Sequence, residues 1–230
     1  MLEPTPTTSH DSQPVGPTVV YCDTSFLINL ISTTRPRAAF RRVAPPKQLD
    51  HIVQRQLEAI TWFSELQAKP DGVAYCSPVV IQELFWACVS ALLWRYASDV
   101  GQGIKSELTT EIDRVLPESL RDAAHEHQNE KTYPTDVVKG CLPYLTNLIR
   151  GKLTPLLADL KIVSDGWTDS GRWLDEFASL LATGELRAND CVLVLTASAV
   201  KAEALFTDDD DFRRARKVVE RYVIVHAQKK

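Results

Sequence analysis

The stretch VVYCDTSFLINL, residues 19–30, decides the fold, because a strand passes directly into a helix within it. The short apolar run Val19–Cys22 is typical of a buried strand. The apolar residues after Ser25 have helical spacing, and Thr24 or Ser25 can cap that helix. Asp23 therefore comes at the carboxyl end of a strand, where ligands bind in open α/β sheets. An Asp at such a turn is also an ordinary helix N-terminal signal, so both roles stay open.

Composition and length indicate an ordinary globular protein. The chain has 230 residues, of which 44% are hydrophobic and 24% charged, so it can hold one large domain or two small ones. The net charge of −4 argues against a protein coated with basic charge for nucleic acid, although a local basic patch remains compatible with it.

Cellular location is predicted from three features. Residues 1–17 are rich in Pro, Thr and Ser, which predicts a disordered tail and not a signal peptide. The longest apolar run, Leu84–Trp94, is too short to span a bilayer, so we expect no membrane association. The five cysteines include no CxxC pair and are interpreted as buried free thiols in a reducing cytoplasm.

Strands and helices alternate along the chain, which predicts an α/β fold with a parallel sheet and helices on both of its faces. Residues 100–160 differ, because acids are spread there among scattered apolar residues. We expect two or three helices in that region, as a helical insertion that covers one end of the sheet or engages a partner. Short apolar runs predict the further strands, at Val73–Cys76, Lys161–Ser164, Ala204–Phe206 and Tyr222–Val225.

Glu83 is the only acid between Pro78 and Ser98. The helix predicted there, from Pro78 to about Tyr96 with Ser77 as its cap, is apolar on nearly every side. A lone carboxylate in such a helix is costly unless it is paired or bound to a cation. A salt bridge to Arg95 and a bound cation are the two alternatives.

Two more acidic positions lie next to apolar elements, one before a predicted helix and one after a predicted strand. Asn189 or Asp190 can cap the uncharged helix that begins at Cys191, which is the structural role for these residues. The run Asp208–Asp211 comes directly after the predicted strand Ala204–Phe206, as Asp23 comes after the first strand. Such a run of acids is usually solvated.

Carboxylates that converge without cationic partners must bind metal or take up protons. Oxygen ligands select hard ions such as Mg²⁺ or Mn²⁺. Two such ions about 3.5–4 Å apart could hold the attacking and leaving oxygens of a phosphodiester.

Two basic segments are candidates for binding a nucleic-acid backbone, although basic loops are usually only solvated surface. The first lies between Thr33 and Lys47 and holds Arg35, Arg37, Arg41 and Arg42. The second follows the acidic run and holds Arg213, Arg214, Arg216 and Lys217.

Four motifs in order resemble those of the PIN-domain nucleases. They are DTSFL at 23–27, SPVVIQE at 77–83, NDCVLVLTA at 189–197 and TDDDDF at 207–212. The motifs frame the region from about Val19 to Val225, with the stretch from about 100 to 158 unmatched. The resemblance thus implies a PIN-like domain over residues 18–228, with a helical insertion at about 100–160.

The resemblance implies a three-layer α/β/α sandwich with a central parallel sheet and a Mg²⁺- or Mn²⁺-dependent ribonuclease that cuts single-stranded or structured RNA. By the same resemblance Thr24 and Thr207 support the acids. Many members are VapC-type toxins, so an antitoxin or other protein partner is an expectation here, and a homodimer stays open. The implied catalytic acids are Asp23, Glu83, Asp190 and Asp209, with Asp208 as an adjacent competitor for the metal.

Two other functions compete with this interpretation. A phosphatase of the haloacid dehalogenase type needs a second Asp two residues after the first, and Ser25 stands there. A non-catalytic RNA- or protein-binding module on a PIN fold is the remaining alternative. Metal separates it from a nuclease, because only the nuclease should lose activity in chelator.

Overall fold

The computed structural model describes residues 16–31, 46–127, 133–163 and 170–227. It has an α/β fold in which five strands form one all-parallel sheet, as the alternating pattern predicts. The strand order is β3-β2-β1-β4-β5. The strands are β1 (Val19–Cys22), β2 (Val73–Cys76), β3 (Lys161–Ile162), β4 (Ala204–Thr207) and β5 (Ile224–Ala227).

The strand order places β1 at the centre of the sheet, between β2 and β4. Successive strands build outward from β1 through β2 to β3, and the chain then returns to add β4 on the other side. Such a reversal of strand order opens a crevice at the carboxyl ends of the strands, where α/β proteins bind ligands.

The helices fill the connections between strands. They are α1 (Thr24–Ile31), α2 (Pro46–Gln67), α3 (Pro78–Gly101), α4 (Glu107–Val115), α5 (Glu118–Glu126), α6 (Thr135–Ala158), α7 (Ser170–Ala182), α8 (Ala188–Ala199), α9 (Asp210–Arg214) and α10 (Arg216–Val219).

Helix α3 begins as predicted, with Ser77 as its cap and Pro78 as its first residue. The Ser77 hydroxyl accepts a hydrogen bond from the N–H of Val80 at 3.4 Å. The helix runs past its predicted end near Tyr96 and stops at Gly101. Within the described residues it is the one helix that is long and apolar enough to cross a membrane by length and composition alone. It packs against α1, α4, α5 and α6, an arrangement compatible with a soluble protein.

The described residues between 107 and 158 form three helices, in agreement with the prediction of two or three helices there. Its apolar residues share the hydrophobic core of the sheet. On α6, Val138, Cys141, Leu145 and Ile149 recur at helical spacing and have no exposed surface. Helix α6 therefore packs as a core helix against α3.

Strand β5 begins two residues later than predicted. The N–H groups of Tyr222 and Val223 both donate to the carbonyl of Val219, at 2.8 and 3.1 Å. Because these donors close the turn after α10, they are not available to a sheet ladder until Ile224. Strand β3 is also shorter than predicted: it ends at Ile162, and Ser164 lies outside the described residues.

Two predictions from composition can be compared with the structure. None of the five cysteines, all of which lie within the described residues, forms a disulfide, and four of them are buried while Cys88 is half-buried, as the interpretation as thiols predicts. Of the predicted tail, residues 1–15 lie outside the described residues. Its last residue, Pro17, accepts a hydrogen bond from Lys69 Nζ at 2.8 Å. Thr18 donates two hydrogen bonds to the Glu203 carboxylate, both at 2.8 Å.

Candidate functional site

The candidate site lies at the carboxyl ends of the adjacent strands β1 and β4. Asp23 follows the last residue of β1, and Thr207 is the last residue of β4. Both side chains are buried, and the Thr207 hydroxyl donates to Asp23 Oδ2 at 2.5 Å. The two strand ends are therefore joined through a carboxylate and a hydroxyl.

Asp23 itself caps α1, whereas the sequence predicts Thr24 or Ser25 as the cap. Its Oδ1 accepts the N–H of Phe26 at 2.8 Å, which satisfies one of the free donors at the helix start. The Ser25 hydroxyl also donates to this carboxylate, at 2.8 and 3.0 Å. The capping role that the sequence leaves open for Asp23 is therefore observed, and the same carboxylate lies between the ends of β1 and β4.

Burial raises the pKa of Asp23 from 3.8 to about 7. The hydrogen bonds from Thr207, Phe26 and Ser25 favour the charged form and lower the pKa, but they do not offset the loss of hydration. The negative charge of Asp209 raises the pKa further. Asp23 is therefore a carboxylate whose charge the protein alone stabilises poorly.

Asp190 is the third residue of α8 and lies within electrostatic range of Asp209. Arg187, and not Asn189 or Asp190 as predicted, occupies the cap position. The Asp190 carboxylate reaches back to accept the N–H of Arg187 at 3.1 Å. Burial raises the pKa of Asp190, and the charge of Asp209 adds to that rise.

Glu83 joins the site through neutral neighbours of the other acids. Its Oε2 accepts the hydroxyl of Thr24 at 2.6 Å, and its Oε1 accepts the side-chain amide of Asn189 at 3.1 Å. Thr24 is adjacent to Asp23, and Asn189 is adjacent to Asp190. The salt bridge from Arg95 to Glu83 is not formed, since Arg95 pairs with Asp99 at 2.9 Å.

Asp208 and Asp209 differ in their partners. The N–H of Asp209 donates to the Thr207 hydroxyl at 2.9 Å, and its carboxylate caps α9 by accepting the N–H of Asp211 at 2.8 Å. The carboxylate of Asp208 instead forms ion pairs with Arg55 at 2.8 Å and with Arg213 at 3.1 Å. Two guanidinium groups therefore neutralise Asp208, whereas Asp209 is held by backbone groups and a hydroxyl.

The other two acids of the run are also paired. Asp210 contacts Arg213 at 3.1 Å, and Asp211 contacts Arg187 at 3.0 Å and Arg214 at 3.1 Å. The acidic run Asp208–Asp211 is therefore not simply solvated, because three of its four acids form ion pairs with arginines.

The predicted basic residues are placed unevenly. Arg35, Arg37, Arg41 and Arg42 lie outside the described residues. Arg213 is mostly covered, with 21% of its side chain exposed, because it holds Asp208 and Asp210. Arg214 is 75% exposed and Arg216 pairs with Glu220 at the surface.

Sequence reasoning missed Arg55 and Arg187. Arg55 lies on α2, far from the acidic run in the chain, and no local pattern points to its pairing with Asp208. Arg187 could have been noticed because it precedes Asp190 by three residues, the spacing at which an N3 acid reaches back to a helix cap. Ser25 was also missed as a link, although its hydroxyl accepts the N–H of Asp208 at 2.7 Å while it donates to Asp23.

In the part of the chain that the structure describes, no Lys or Arg forms an ion pair with Asp23, Glu83, Asp190 or Asp209. Across the same ranges, no three His, Cys, Asp or Glu side chains are grouped closely enough to hold a metal ion together. The candidate site is thus a group of acids that interact electrostatically, in which no three of the described side chains are placed to ligate one metal ion.

Comparisons with protein-family models, with curated proteins and with solved structures give no match for this chain.

Proposed function

We propose that this protein is a Mg²⁺- or Mn²⁺-dependent endoribonuclease with a PIN-like three-layer α/β/α sandwich. One observation carries the proposal: the negative charge of Asp209 acts on both Asp23 and Asp190, and neutral hydroxyl and backbone N–H groups hold the three carboxylates. Glu83 is tied to the same place through Thr24 and Asn189. The five-stranded parallel sheet with order β3-β2-β1-β4-β5 is compatible with that fold.

The donor set fits a hard divalent cation. All four acids offer carboxylate oxygens, which Mg²⁺ and Mn²⁺ prefer. Burial is the main cause of the raised pKa of Asp23 and Asp190, and the negative charge of Asp209 adds to it. Mg²⁺ is usually held by one or two carboxylates together with water and substrate phosphate. A cluster without three converging ligands is therefore compatible with a cation that binds together with RNA.

The residues of the site then divide into acids that bind or surround the metal and residues that position these acids. One or two carboxylates of the set Asp23, Glu83, Asp190 and Asp209 would bind the metal directly, and the others would add negative charge around it. The metal, when bound, stabilises negative charge on the phosphoryl oxygens. Thr207 fixes Asp23 and Asp209 relative to each other, because its hydroxyl donates to the first and accepts the N–H of the second. Thr24 and Asn189 orient the two oxygens of Glu83.

The structure supports Asp209 over Asp208 as the fourth acid. A carboxylate that already pairs with Arg55 and Arg213 gains less from a cation than one without a positive partner. We therefore assign Asp208 to holding the turn between β4 and α9, and Asp209 to the site.

The proposal is tested with a labelled single-stranded RNA, in chelator and with added Mn²⁺ or Mg²⁺. The purified protein should cut RNA internally only with metal. Asp23→Asn and Asp190→Asn should each lower the cleavage rate by more than about 100-fold, the upper range of what losing a supporting contact costs at a metal site. Asp122→Asn, which alters an exposed acid on α5, is the matched control and should cut like the wild type. Wild-type cleavage by both site variants would sink the proposal.

A non-catalytic RNA-binding module is the second candidate, and the lack of three converging ligands within the described residues favours it. Such a module would hold RNA equally well in chelator and in Mn²⁺, and it would leave the RNA intact in both. The same experiment therefore separates the two functions.

A further inference from the structure

Two exposed arginines flank the site acids in the chain. Arg187 precedes Asp190 by three residues, and Arg214 ends the short helix that Asp209 caps. Their side chains are 81% and 75% exposed. Both guanidinium groups contact Asp211, whose side chain is only 18% exposed.

Asp211 holds these two arginines by opposite oxygens. Arg187 Nη2 lies 3.0 Å from Oδ2, and Arg214 Nη2 lies 3.1 Å from Oδ1. A guanidinium group has five N–H donors, so each arginine keeps donors that face solvent. These three residues, Arg187, Arg214 and Asp211, form a trio with a net charge of +1.

The trio belongs to the surroundings of the site. The charge of Arg187 lowers the pKa of Asp190 and that of Asp211 raises it, so both lie within electrostatic range of this acid. Exposed ion pairs contribute little to stability, and one carboxylate shared by two arginines leaves positive charge over. That arrangement suits recognition of an anion beside an acidic centre, where the anion would otherwise be repelled.

We propose that Arg187 and Arg214 form a phosphate-binding pair that contacts the RNA backbone at the rim of the site, with Asp211 holding both guanidinium groups in position. The inference rests on the proposed function. Phosphate contacts position a nucleic acid without reading its sequence, so the pair should act on all single-stranded RNAs alike.

The experiment measures binding of a fluorescent single-stranded RNA of mixed sequence over a salt titration. All proteins carry Asp23→Asn and Asp190→Asn, so that the probe stays intact. Arg187→Gln and Arg214→Gln are each introduced into this parent, and Arg150→Gln is the matched control. Arg150 is an exposed residue in the interior of α6, the helix that leads into β3.

Each rim variant should weaken binding at every salt concentration and lower the slope of log affinity against log salt by about 0.7, the value for one lost phosphate contact on a single strand. The double variant should lower it by about twice as much, and Arg150→Gln should leave it unchanged. Arg187→Lys, which keeps the charge, should restore the slope. If Arg187→Gln does not fold, Arg214→Gln compared with Arg150→Gln decides the inference.

Two outcomes overturn the inference, and they differ in what else they affect. If the parent binds RNA and the rim variants share the slope of Arg150→Gln, the pair only braces α8 against α9, while the proposed nuclease stands. If the parent does not bind RNA at all, the inference falls with its premise, and the cleavage assay on the wild-type protein then decides the proposed function separately.

Discussion

Asp208 and Asp209 are adjacent in the chain, yet their carboxylates share no partner. Arg55 and Arg213 hold Asp208 by ion pairs, whereas Asp209 is held by the N–H of Asp211. The same division separates the other acids around the candidate site. We call Asp23, Glu83, Asp190 and Asp209 the site acids, and Asp208, Asp210 and Asp211 the clamped acids.

The two sets differ in the charge of their partners. Hydroxyl, amide and backbone N–H groups fix the position of a site acid without neutralising it. Guanidinium groups fix a clamped acid and neutralise it as well. The first set therefore keeps negative charge that a cation can offset, and the second set supports the structure around it. Four predictions test this difference, and they run from the largest expected effect to the smallest.

The largest effect is on stability against pH when no divalent metal is present. The pKa of Asp23 rises from 3.8 to about 7 on folding, so between these values the folded chain binds more protons than the unfolded chain. The free energy of unfolding should therefore fall as pH rises from about 4 to about 7, by on the order of 4 kcal/mol from this group, and stay level above that range.

Urea denaturation in chelator measures this effect, with Asp23→Asn as the comparison. The variant lacks the titrating group, so it should gain stability relative to the wild type as pH rises through the same window. A difference between the two proteins that stays constant from pH 4 to pH 8 contradicts the prediction.

The second prediction separates the two adjacent acids by activity. Asp209→Asn should lower RNA cleavage by more than about 100-fold, because it removes a site acid. Asp208→Asn should keep cleavage near the wild-type rate but lower the free energy of unfolding by roughly 1–3 kcal/mol, because Arg55 and Arg213 lose a charged partner. Rates are measured below the melting temperature of both variants. The reverse pattern would place Asp208 among the site acids.

The third prediction concerns the hydroxyl that links two site acids. Thr207→Val removes the donor to Asp23 and the acceptor of the Asp209 N–H, so cleavage should fall by about 10- to 100-fold. Thr207→Ser keeps the hydroxyl and should retain most of the rate. Equal rates for the valine and serine variants would show that the Thr207 hydroxyl does not contribute to cleavage.

The smallest effect is expected at Asp210, the most exposed clamped acid. Its side chain is 40% exposed and pairs with Arg213 three residues away. Asp210→Asn should change the free energy of unfolding by less than about 1 kcal/mol, as for most surface ion pairs, and leave cleavage unchanged. Thermal unfolding and the RNA assay measure both quantities. A loss of cleavage here would erase the distinction between the two sets.

Local patterns in the sequence were sufficient to predict the parallel sheet and most of its strands. Val19–Cys22 and Val73–Cys76 are bounded by turn residues and match the observed strands. The strand order could not be predicted, because it depends on which helices cross over the sheet and not on any single run. The core role of α6 was also missed, since its stripe of apolar residues is divided by polar ones such as Thr146 and Asn147.

For the candidate site, the sequence predicted which acids stand at strand ends and helix starts. It could not assign their partners. Arg55 and Asp208 are 153 residues apart, and only the folded chain brings them to 2.8 Å. The cap of α1 also differs from the predicted Thr24 or Ser25. Asp23 caps this helix because its carboxylate accepts the N–H of Phe26, and the Thr24 hydroxyl donates to Glu83 instead.

The hydrogen bonds of Pro17 and Thr18 have a practical consequence for how the protein can be handled. They fasten the chain where β1 begins, while Asp23 lies where β1 ends, about 13 Å away for a strand of four residues. A fluorescent label or surface linker placed at Gly16 therefore sits on the side of the sheet away from the acids. Immobilisation through that point leaves the site acids facing away from the support and toward the solution.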